Sequence, residues 1–159
     1  MRAVISAGSN MEDSRAHLAR VAAEFAPDLV AASSVYATAP WGGVDQHDFL
    51  NQTFIIELDD APSAPRELLA RCQRLEREAG RVRDVRWGPR TLDVDIVDIE
   101  GVTSDDPVLT LPHPRAAQRA FVLVPWLEID PDAKLGGETV ARLVDKLGPL
   151  EGEQEVRRL

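Results

Sequence analysis

Two aspartates, Asp93 and Asp95, are separated by one residue inside an otherwise apolar run. Alternate side chains of a β-strand point to the same face, so both carboxylates are expected on one face, opposite Leu92, Val94 and Ile96. Two carboxylates held close together repel each other unless a cation lies between them. Mg²⁺ prefers one or two carboxylates together with water and substrate phosphates. The pair is therefore a candidate metal site, although an Asp-x-Asp pattern alone is weak support.

Arginine is concentrated just before this pair. Eight arginines lie between positions 66 and 90: Arg66, Arg71, Arg74, Arg77, Arg81, Arg83, Arg86 and Arg90. The first four are interleaved with glutamates and are expected to form a solvated helix face with salt bridges. The last four fall where Gly80, Gly88 and Pro89 interrupt any helix. Guanidiniums next to two carboxylates fit a metal-bound polyphosphate.

Two further segments carry chemically useful side chains. Trp41 lies in a loop rich in proline and glycine, where it either covers a ligand or packs on the core. Phe49 and Asn51 share one face of the strand that follows, and an aromatic ring beside an amide suits a flat heterocycle. His113 stands between two prolines, and a turn histidine satisfied by the backbone and a phosphate contact are equally good interpretations. We expect His17 at the surface.

Hydrophobic periodicity and turn residues predict the elements that position these side chains. We expect strands over 3–7, 29–36, 49–58 and 91–99, helices over 14–25 and 63–79, and loops over 40–48 and 81–90. Gly80 is expected to end the second helix. The order βαββαβ is the ferredoxin-like split arrangement of an α+β fold. Beyond 101 we expect a strand at 108–111, a helical turn near Ala116, a strand or turn over 121–126 and a helix over 139–147.

Composition excludes several classes of protein. The chain has 159 residues, 44% hydrophobic and 28% charged, which is typical of one soluble globular domain spanning 1–159. The single cysteine, Cys72, forms no internal disulfide, so a reducing, cytoplasmic compartment is expected. The net charge of −9 argues against non-specific binding to nucleic acid or to anionic membranes. Apolar runs are too short for a signal peptide or a membrane span, and we expect a monomer.

Taken together, the motifs resemble the hydroxymethyldihydropterin pyrophosphokinase family over about residues 3 to 127. The segments that carry the resemblance occur in the right order and spacing: Gly8-Ser9-Asn10, 38–42, Phe49-Leu50-Asn51, 80–83, 87–97, Pro112-His113-Pro114-Arg115 and Arg119-Ala120-Phe121. The run from Arg86 to Ile96 is highly specific. The family's fold is an α/β/α sandwich around a mainly antiparallel sheet. Asp98 departs from the pattern, because an apolar residue is common there.

The resemblance implies transfer of pyrophosphate from Mg·ATP to 6-hydroxymethyl-7,8-dihydropterin in folate biosynthesis, with AMP as the other product. It implies two Mg²⁺ ions on Asp93 and Asp95, and these aspartates with Arg81 and Arg83 as the catalytic set. The implied nucleotide-binding residues are Gln73, Glu76, Arg83, Trp87, Arg90, Ile96, His113 and Arg119. The implied pterin-binding residues are Thr38, Pro40, Trp41, Phe49, Asn51, Trp87, Asp93 and Phe121.

Two other classes of function use some of the same residues. A nucleotidyltransferase could use Gly8-Ser9 with Asp93 and Asp95, although those elements usually lie much closer together in sequence. Release of pyrophosphate rather than AMP would identify it. A non-catalytic ferredoxin-like binding module is the other alternative. Such a module has no use for paired carboxylates facing arginines, and titration with Mg·ATP distinguishes it.

Overall fold

The computed structural model describes residues 1–10, 13–38, 48–81, 92–151 and 154–159. Its strands are β1 Arg2–Ser9, β2 Leu29–Ala32, β3 Tyr36–Thr38, β4 Phe49–Glu57, β5 Asp93–Ile99, β6 Ser104–Asp106, β7 Leu109–Leu111, β8 Lys134–Leu135, β9 Glu138–Thr139 and β10 Val156–Arg158. Its α-helices are α1 Ser14–Phe25, α2 Ala64–Arg81, α3 Ala120–Ile129 and α4 Val140–Lys146. Short 3₁₀ helices, Ala26–Asp28 and Ala116–Gln118, precede β2 and α3.

The central sheet has the order β10-β3-β4-β1-β5, and β2 also pairs with β4. Every pairing in it is antiparallel. Several neighbouring strands in the sheet are distant in sequence, and α1 and α2 form the crossover connections between strands. This is the ferredoxin-like βαββαβ core. The α+β fold predicted from the sequence is therefore confirmed.

Each face of the sheet is covered by its own core, which gives the expected α/β/α sandwich. One core joins Ile5 and Phe54 to residues of α1 and α2, including Leu18 and Leu68. The other core contains Val4 and Ile55, the sequence neighbours of Ile5 and Phe54, together with residues of α3 and α4. The helix residues are Val122, Leu123, Trp126, Val140 and Leu143. Adjacent strand residues point to opposite faces, so the two cores lie on opposite sides of one sheet. The second face carries Asp93, Asp95 and Asn51.

Four local predictions were wrong. The single strand expected over 29–36 is two strands, because the Ser33 hydroxyl accepts a hydrogen bond from the Thr53 backbone N at 2.9 Å and interrupts the ladder. Helix α2 continues through Gly80 to Arg81. The segment 121–126, expected as a strand or turn, lies within helix α3. His17 is buried, at 6% exposure, on the α1 side of the sheet.

Other local predictions were confirmed. Helix α4 has Thr139 as its N-cap, whose side chain accepts from the backbone N of Arg142. Cys72 is buried in the first core, and burial raises the pKa of its thiol to about 12, so it is a packing residue. Within the described parts of the chain, no helix combines the length and apolarity that a membrane span requires.

Candidate functional site

Three strands place a row of side-chain positions across the second face of the sheet. Gly8 of β1 is the partner of Asn51 on β4 and of Asp93 on β5. Directly opposed residues in antiparallel strands share a face. Tyr36 of β3 is in turn the partner of Asn51. Asn51 and Asp93 are therefore on one face, separated only by a residue without a side chain.

Gly8 allows the Asn51 side chain to lie close over the backbone of β1. A Cβ atom at Gly8 would lie 2.8 Å from Asn51 Oδ1. Asn51 is itself held, because its Nδ2 donates a hydrogen bond to Thr38 Oγ1 at 3.1 Å, and both side chains are buried. Phe49, two residues before Asn51 on β4, points to the same face and is half-buried. An amide, a hydroxyl and an aromatic ring thus lie on the same face as Gly8.

Gly8→Ala is expected to lower kcat/KM for the pterin by about tenfold or more, because displacing Asn51 misplaces a ligand that this amide orients. The fold should tolerate the change, since alanine is favoured over glycine in a strand by roughly 0.5–1 kcal/mol. Steady-state kinetics together with thermal unfolding checks both halves. A variant with lower stability and normal kcat/KM would show that Gly8 is required for packing alone.

The paired aspartates lie on β5 as the alternation predicted. Asp93 and Asp95 are half-buried, whereas Val94 and Ile96 between and after them are buried. Asp95 is the partner of Ser6 on β1, two pairs along from Asp93 and Gly8. Glu76 of α2 accepts a hydrogen bond from the Val94 backbone N at 3.0 Å, which ties the helix to the strand between the two aspartates.

A cation approaches this pair from the segment that precedes α3. Arg119 Nη1 lies 3.9 Å from Asp95 Oδ2, with side-chain exposures of 28% and 43%. The Arg119 guanidinium also lies over the Phe121 ring, 5.5 Å from its centroid. Phe121 is half-buried against the second core. The arrangement places an arginine and an aromatic ring beside the carboxylates.

A groove of ≈ 260 Å³ lies beside β5, and Asp95 is among the residues that line it. Five of its lining residues were predicted from the sequence: Gln73, Glu76, Asp95, Ile96 and His113. Seven others were not: Leu69, Val94, Pro107, Val108, Leu109, Thr110 and Pro114. Most of the missed residues come from the β6–β7 hairpin and its turn, where the apolar run at 108–111 was the available signal. The lining therefore combines apolar and polar side chains.

His113 both bonds to the backbone and lines the groove, so each of the two interpretations left open by its sequence context applies. Its backbone N donates to Val97 O at 2.8 Å, and its Nδ1 accepts from the backbone N of Arg115 at 3.2 Å. The ring also lines the groove. Burial lowers the pKa of His113; the Asp95 carboxylate opposes this effect, and Arg119 and Arg115 add to it. The imidazole is therefore neutral at pH 7, with Nε2 carrying the proton because Nδ1 accepts.

Nuclear magnetic resonance titration should give His113 a pKa below 6.5, its ordinary value. In Asp95→Asn the pKa should fall further, since the carboxylate that favours the imidazolium has been removed. A lowered folded-state pKa also means that this residue makes stability fall as pH drops below 6.5. An unchanged or higher pKa in Asp95→Asn would contradict the placement of these two groups.

The aspartate pair suits a magnesium ion. No group of three or more histidine, cysteine or acidic side chains suited to a metal occurs in the described ranges, 1–10, 13–38, 48–81, 92–151 and 154–159. Two carboxylates on a strand, with an arginine beside them, match the ligand set that Mg²⁺ shares with substrate phosphates. Asp93 and Asp95 are the residues that would hold it.

The structure brings together the predicted residues that it describes. Thr38, Asn51 and Phe49 lie with Asp93 on one face, and Gln73, Glu76, Ile96 and His113 meet Asp95 at the groove. Arg81 is the last residue of α2. Five predicted residues lie outside the described ranges: Pro40, Trp41, Arg83, Trp87 and Arg90. Asp98 is half-buried on β5, and burial raises the pKa of its carboxyl.

Solved structures of other proteins have the same fold as this chain. Wild-type Plasmodium falciparum HPPK-DHPS matches with a TM-score of 0.63 at 14% identity, covering 91% of this chain. The complex of the same protein with STZ-DHP matches with a TM-score of 0.64 at 12% identity, covering 99%. This chain spans 40% and 46% of those two solved chains. At such low identity the likeness concerns the fold alone.

Sequence relatives are much closer. The 2-amino-4-hydroxy-6-hydroxymethyldihydropteridine pyrophosphokinase of Mycobacterium bovis is 46% identical over 163 residues, which cover 94% of this chain and 86% of the relative. The enzyme of the same description from Methylorubrum extorquens is 44% identical over 152 residues, covering 93% and 94%. The family model for 7,8-dihydro-6-hydroxymethylpterin-pyrophosphokinase (HPPK) matches residues 4–131. The chain therefore belongs to the 7,8-dihydro-6-hydroxymethylpterin-pyrophosphokinase family.

Proposed function

We propose that this protein transfers a pyrophosphoryl group from ATP to 6-hydroxymethyl-7,8-dihydropterin in folate biosynthesis, giving the pterin diphosphate and AMP. The observation that carries the proposal is the meeting of two differently shaped sites at one carboxylate pair. Asp95 lines the groove beside β5, and Asp93, two residues before it, is the β5 partner of Gly8 in the row. A nucleotide in the groove and a pterin on the row bring their reacting groups to the same place.

The groove suits ATP. Its apolar wall, which includes Leu69, Ile96 and Leu109, offers a surface for a flat base, and Gln73 and His113 offer polar contacts. Neutral His113 can donate a hydrogen bond to a phosphate oxygen through Nε2–H. The triphosphate would then extend toward Asp95 and Arg119, where its charge can be neutralised.

The row above Gly8 suits the pterin. Asn51 presents an amide held by Thr38, and an amide can pair with the polar edge of a pterin ring. Phe49 and Phe121 are the aromatic rings available to stack on its faces. The ring would lie flat over Gly8 with its hydroxymethyl group directed to Asp93.

The reaction needs positioning and charge neutralisation more than covalent chemistry. The pterin hydroxymethyl oxygen attacks the β-phosphorus in line, and AMP leaves with the oxygen that joined the α- and β-phosphates. Asp93 and Asp95 would hold two Mg²⁺ ions, which supply positive charge to the phosphates when bound. Arg119 adds a guanidinium at the same point, and we assign phosphate contacts to Arg81, Arg83 and Arg90. We assign contacts with the pterin edge to Pro40 and the backbone near Trp41, and closure over the pterin to Trp87.

Product analysis tests the proposal. Incubation with Mg·ATP and hydroxymethyldihydropterin should release one AMP for each pterin consumed, with no AMP when the pterin is left out. Free pyrophosphate in place of AMP would instead show nucleotidyl transfer. Binding of Mg·ATP with neither product would show a binding module.

A further inference from the structure

The side chain of Gln154 makes hydrogen bonds to the backbone on both sides of Arg119, although the two residues are distant in sequence. Its Oε1 accepts a hydrogen bond from the backbone N of Ala120 at 3.0 Å, and its Nε2 donates to the backbone O of Gln118 at 2.9 Å. These two backbone groups are immediately after and before Arg119 in the sequence. Gln154 thereby fixes the peptide units on both sides of that arginine.

One of these hydrogen bonds provides an acceptor for a backbone N–H at the start of helix α3. The first N–H groups of a helix have no partner within the helix. Arg119, the N-cap residue, makes no capping hydrogen bond with its side chain. Ala120 is fully buried, so its N–H has no access to water. Gln154 supplies the missing acceptor and so sets where α3 begins, and with it the directions of Arg119 and Phe121.

The segment 154–159 also contacts the opposite side of the pterin row. Strand β10 pairs with β3, with Val156 opposite Thr38. Arg157 Nη2 lies 2.5 Å from Asp48 Oδ2, and Asp48 directly precedes Phe49. One short segment is thus bonded to the strand carrying Thr38, to the residue before Phe49 and to the backbone on both sides of Arg119.

We propose that Gln154 is a positioning residue for the pterin side of the site. It touches neither substrate; it acts by holding Arg119 beside Asp95 and by fixing the start of helix α3, which carries Phe121. The proposal rests on the assignment of Phe121 to the pterin. A purely structural role predicts that replacing Gln154 changes stability and leaves ligand affinity unchanged.

Two variants test the two hydrogen bonds. Gln154→Met keeps the length of the side chain and removes both bonds, whereas Gln154→Glu keeps the acceptor for Ala120 and loses the donor to Gln118. Exposed Glu155→Ala, next in sequence, is the matched control. We expect Gln154→Met to raise the dissociation constant of a non-reactive pterin analogue about fivefold, measured by calorimetry with a non-hydrolysable ATP analogue present. Gln154→Glu should have a smaller effect, and Glu155→Ala none.

A double-mutant cycle with Phe121→Leu separates positioning from mere support of the fold. If Gln154 acts through the Phe121 ring, Gln154→Met should change analogue affinity by less than about twofold in the Phe121→Leu background. Faster hydrogen exchange at the Ala120 amide in Gln154→Met would show that the hydrogen bond is lost. Unchanged analogue affinity in both Gln154 variants, or a full fivefold effect without the Phe121 ring, would overturn the inference. Normal affinity in Phe121→Leu alone would instead show that the pterin assignment is wrong.

Discussion

Asp95→Ala is expected to lower kcat/KM for AMP formation at least ~10²-fold while leaving the fold intact, because a preorganised charge at the reacting phosphates is removed. The side chain is 43% exposed and belongs to neither core, so its loss creates no cavity. It lies 3.9 Å from Arg119 and lines the groove, which places it where the phosphates of a bound nucleotide would be in the proposed function. Initial rates and thermal unfolding, measured on the same samples, check both parts.

The matched control is Asp98→Asn, on the same strand. Asp98 is half-buried like Asp95, and it pairs with Val4 at the far end of β1, away from Gly8 and the groove. We expect near-normal turnover in this variant. If Asp95→Ala turned over normally, the aspartate pair could not be the metal and phosphate site.

Phe121→Ala is expected to weaken pterin binding by 1–3 kcal/mol, or roughly 5- to 150-fold, by analogy with the stacking of nucleic-acid bases on aromatic side chains. Phe121 is half-buried against the second core and lies under the Arg119 guanidinium. The nucleotide groove does not include it. Nucleotide affinity without pterin should therefore stay nearly unchanged. Calorimetry with a pterin analogue and with an ATP analogue measures the two affinities separately.

Ile129→Ala is the control for the loss of packing that accompanies Phe121→Ala. Ile129 is on the same helix and packs against the same core, but at the end remote from Arg119. It should lower stability and leave pterin affinity alone. If Phe121→Ala weakened the nucleotide and spared the pterin, the ring would have to be assigned to the adenine or to the core.

The local part of the site followed from the sequence because it depends on strand periodicity. Asp93 and Asp95 alternate with the buried Val94 and Ile96 as a period of two requires. The row joining Asn51, Gly8 and Asp93 was not predictable in the same way. It depends on the register of three strands that are far apart in sequence, and a shift of one residue would direct each side chain to the other face.

The difference between local periodicity and contacts distant in sequence also explains the predictions that were wrong. Positions 120–127 are apolar all round, so a buried helix and a buried strand have the same pattern there, and α3 could not be recognised from periodicity. The division of 29–36 depends on the Ser33 hydroxyl bonding the Thr53 backbone, a contact 20 residues apart. Strand β5 has a bulge near Val97, which is buried in the second core, so Asp98 is not in simple alternation with Asp95.

The apolar run at 108–111 predicted a strand but not its position beside β5, and nothing in the sequence indicated the contacts of the last strand. Val108 and Thr110 line the groove because the β6–β7 hairpin folds beside β5. Gln154 reaches the start of α3 because β10 adds to the edge of β3. Glutamine near the end of a charged segment suggests a solvated side chain, and only its two partners show that it belongs with Arg119.

The most direct test of the account follows the phosphorus atoms. ATP radiolabelled separately at the α-, β- and γ-phosphate should be incubated with Mg²⁺, hydroxymethyldihydropterin and the protein, with Asp95→Ala in parallel. Labels from both the β- and the γ-phosphate should appear in the pterin product, and the α label should remain in AMP, with the rates of both transfers and of AMP release reduced at least ~10²-fold in the variant. Transfer of the γ label alone with formation of ADP, or of the α label to the pterin, would contradict pyrophosphoryl transfer at this site.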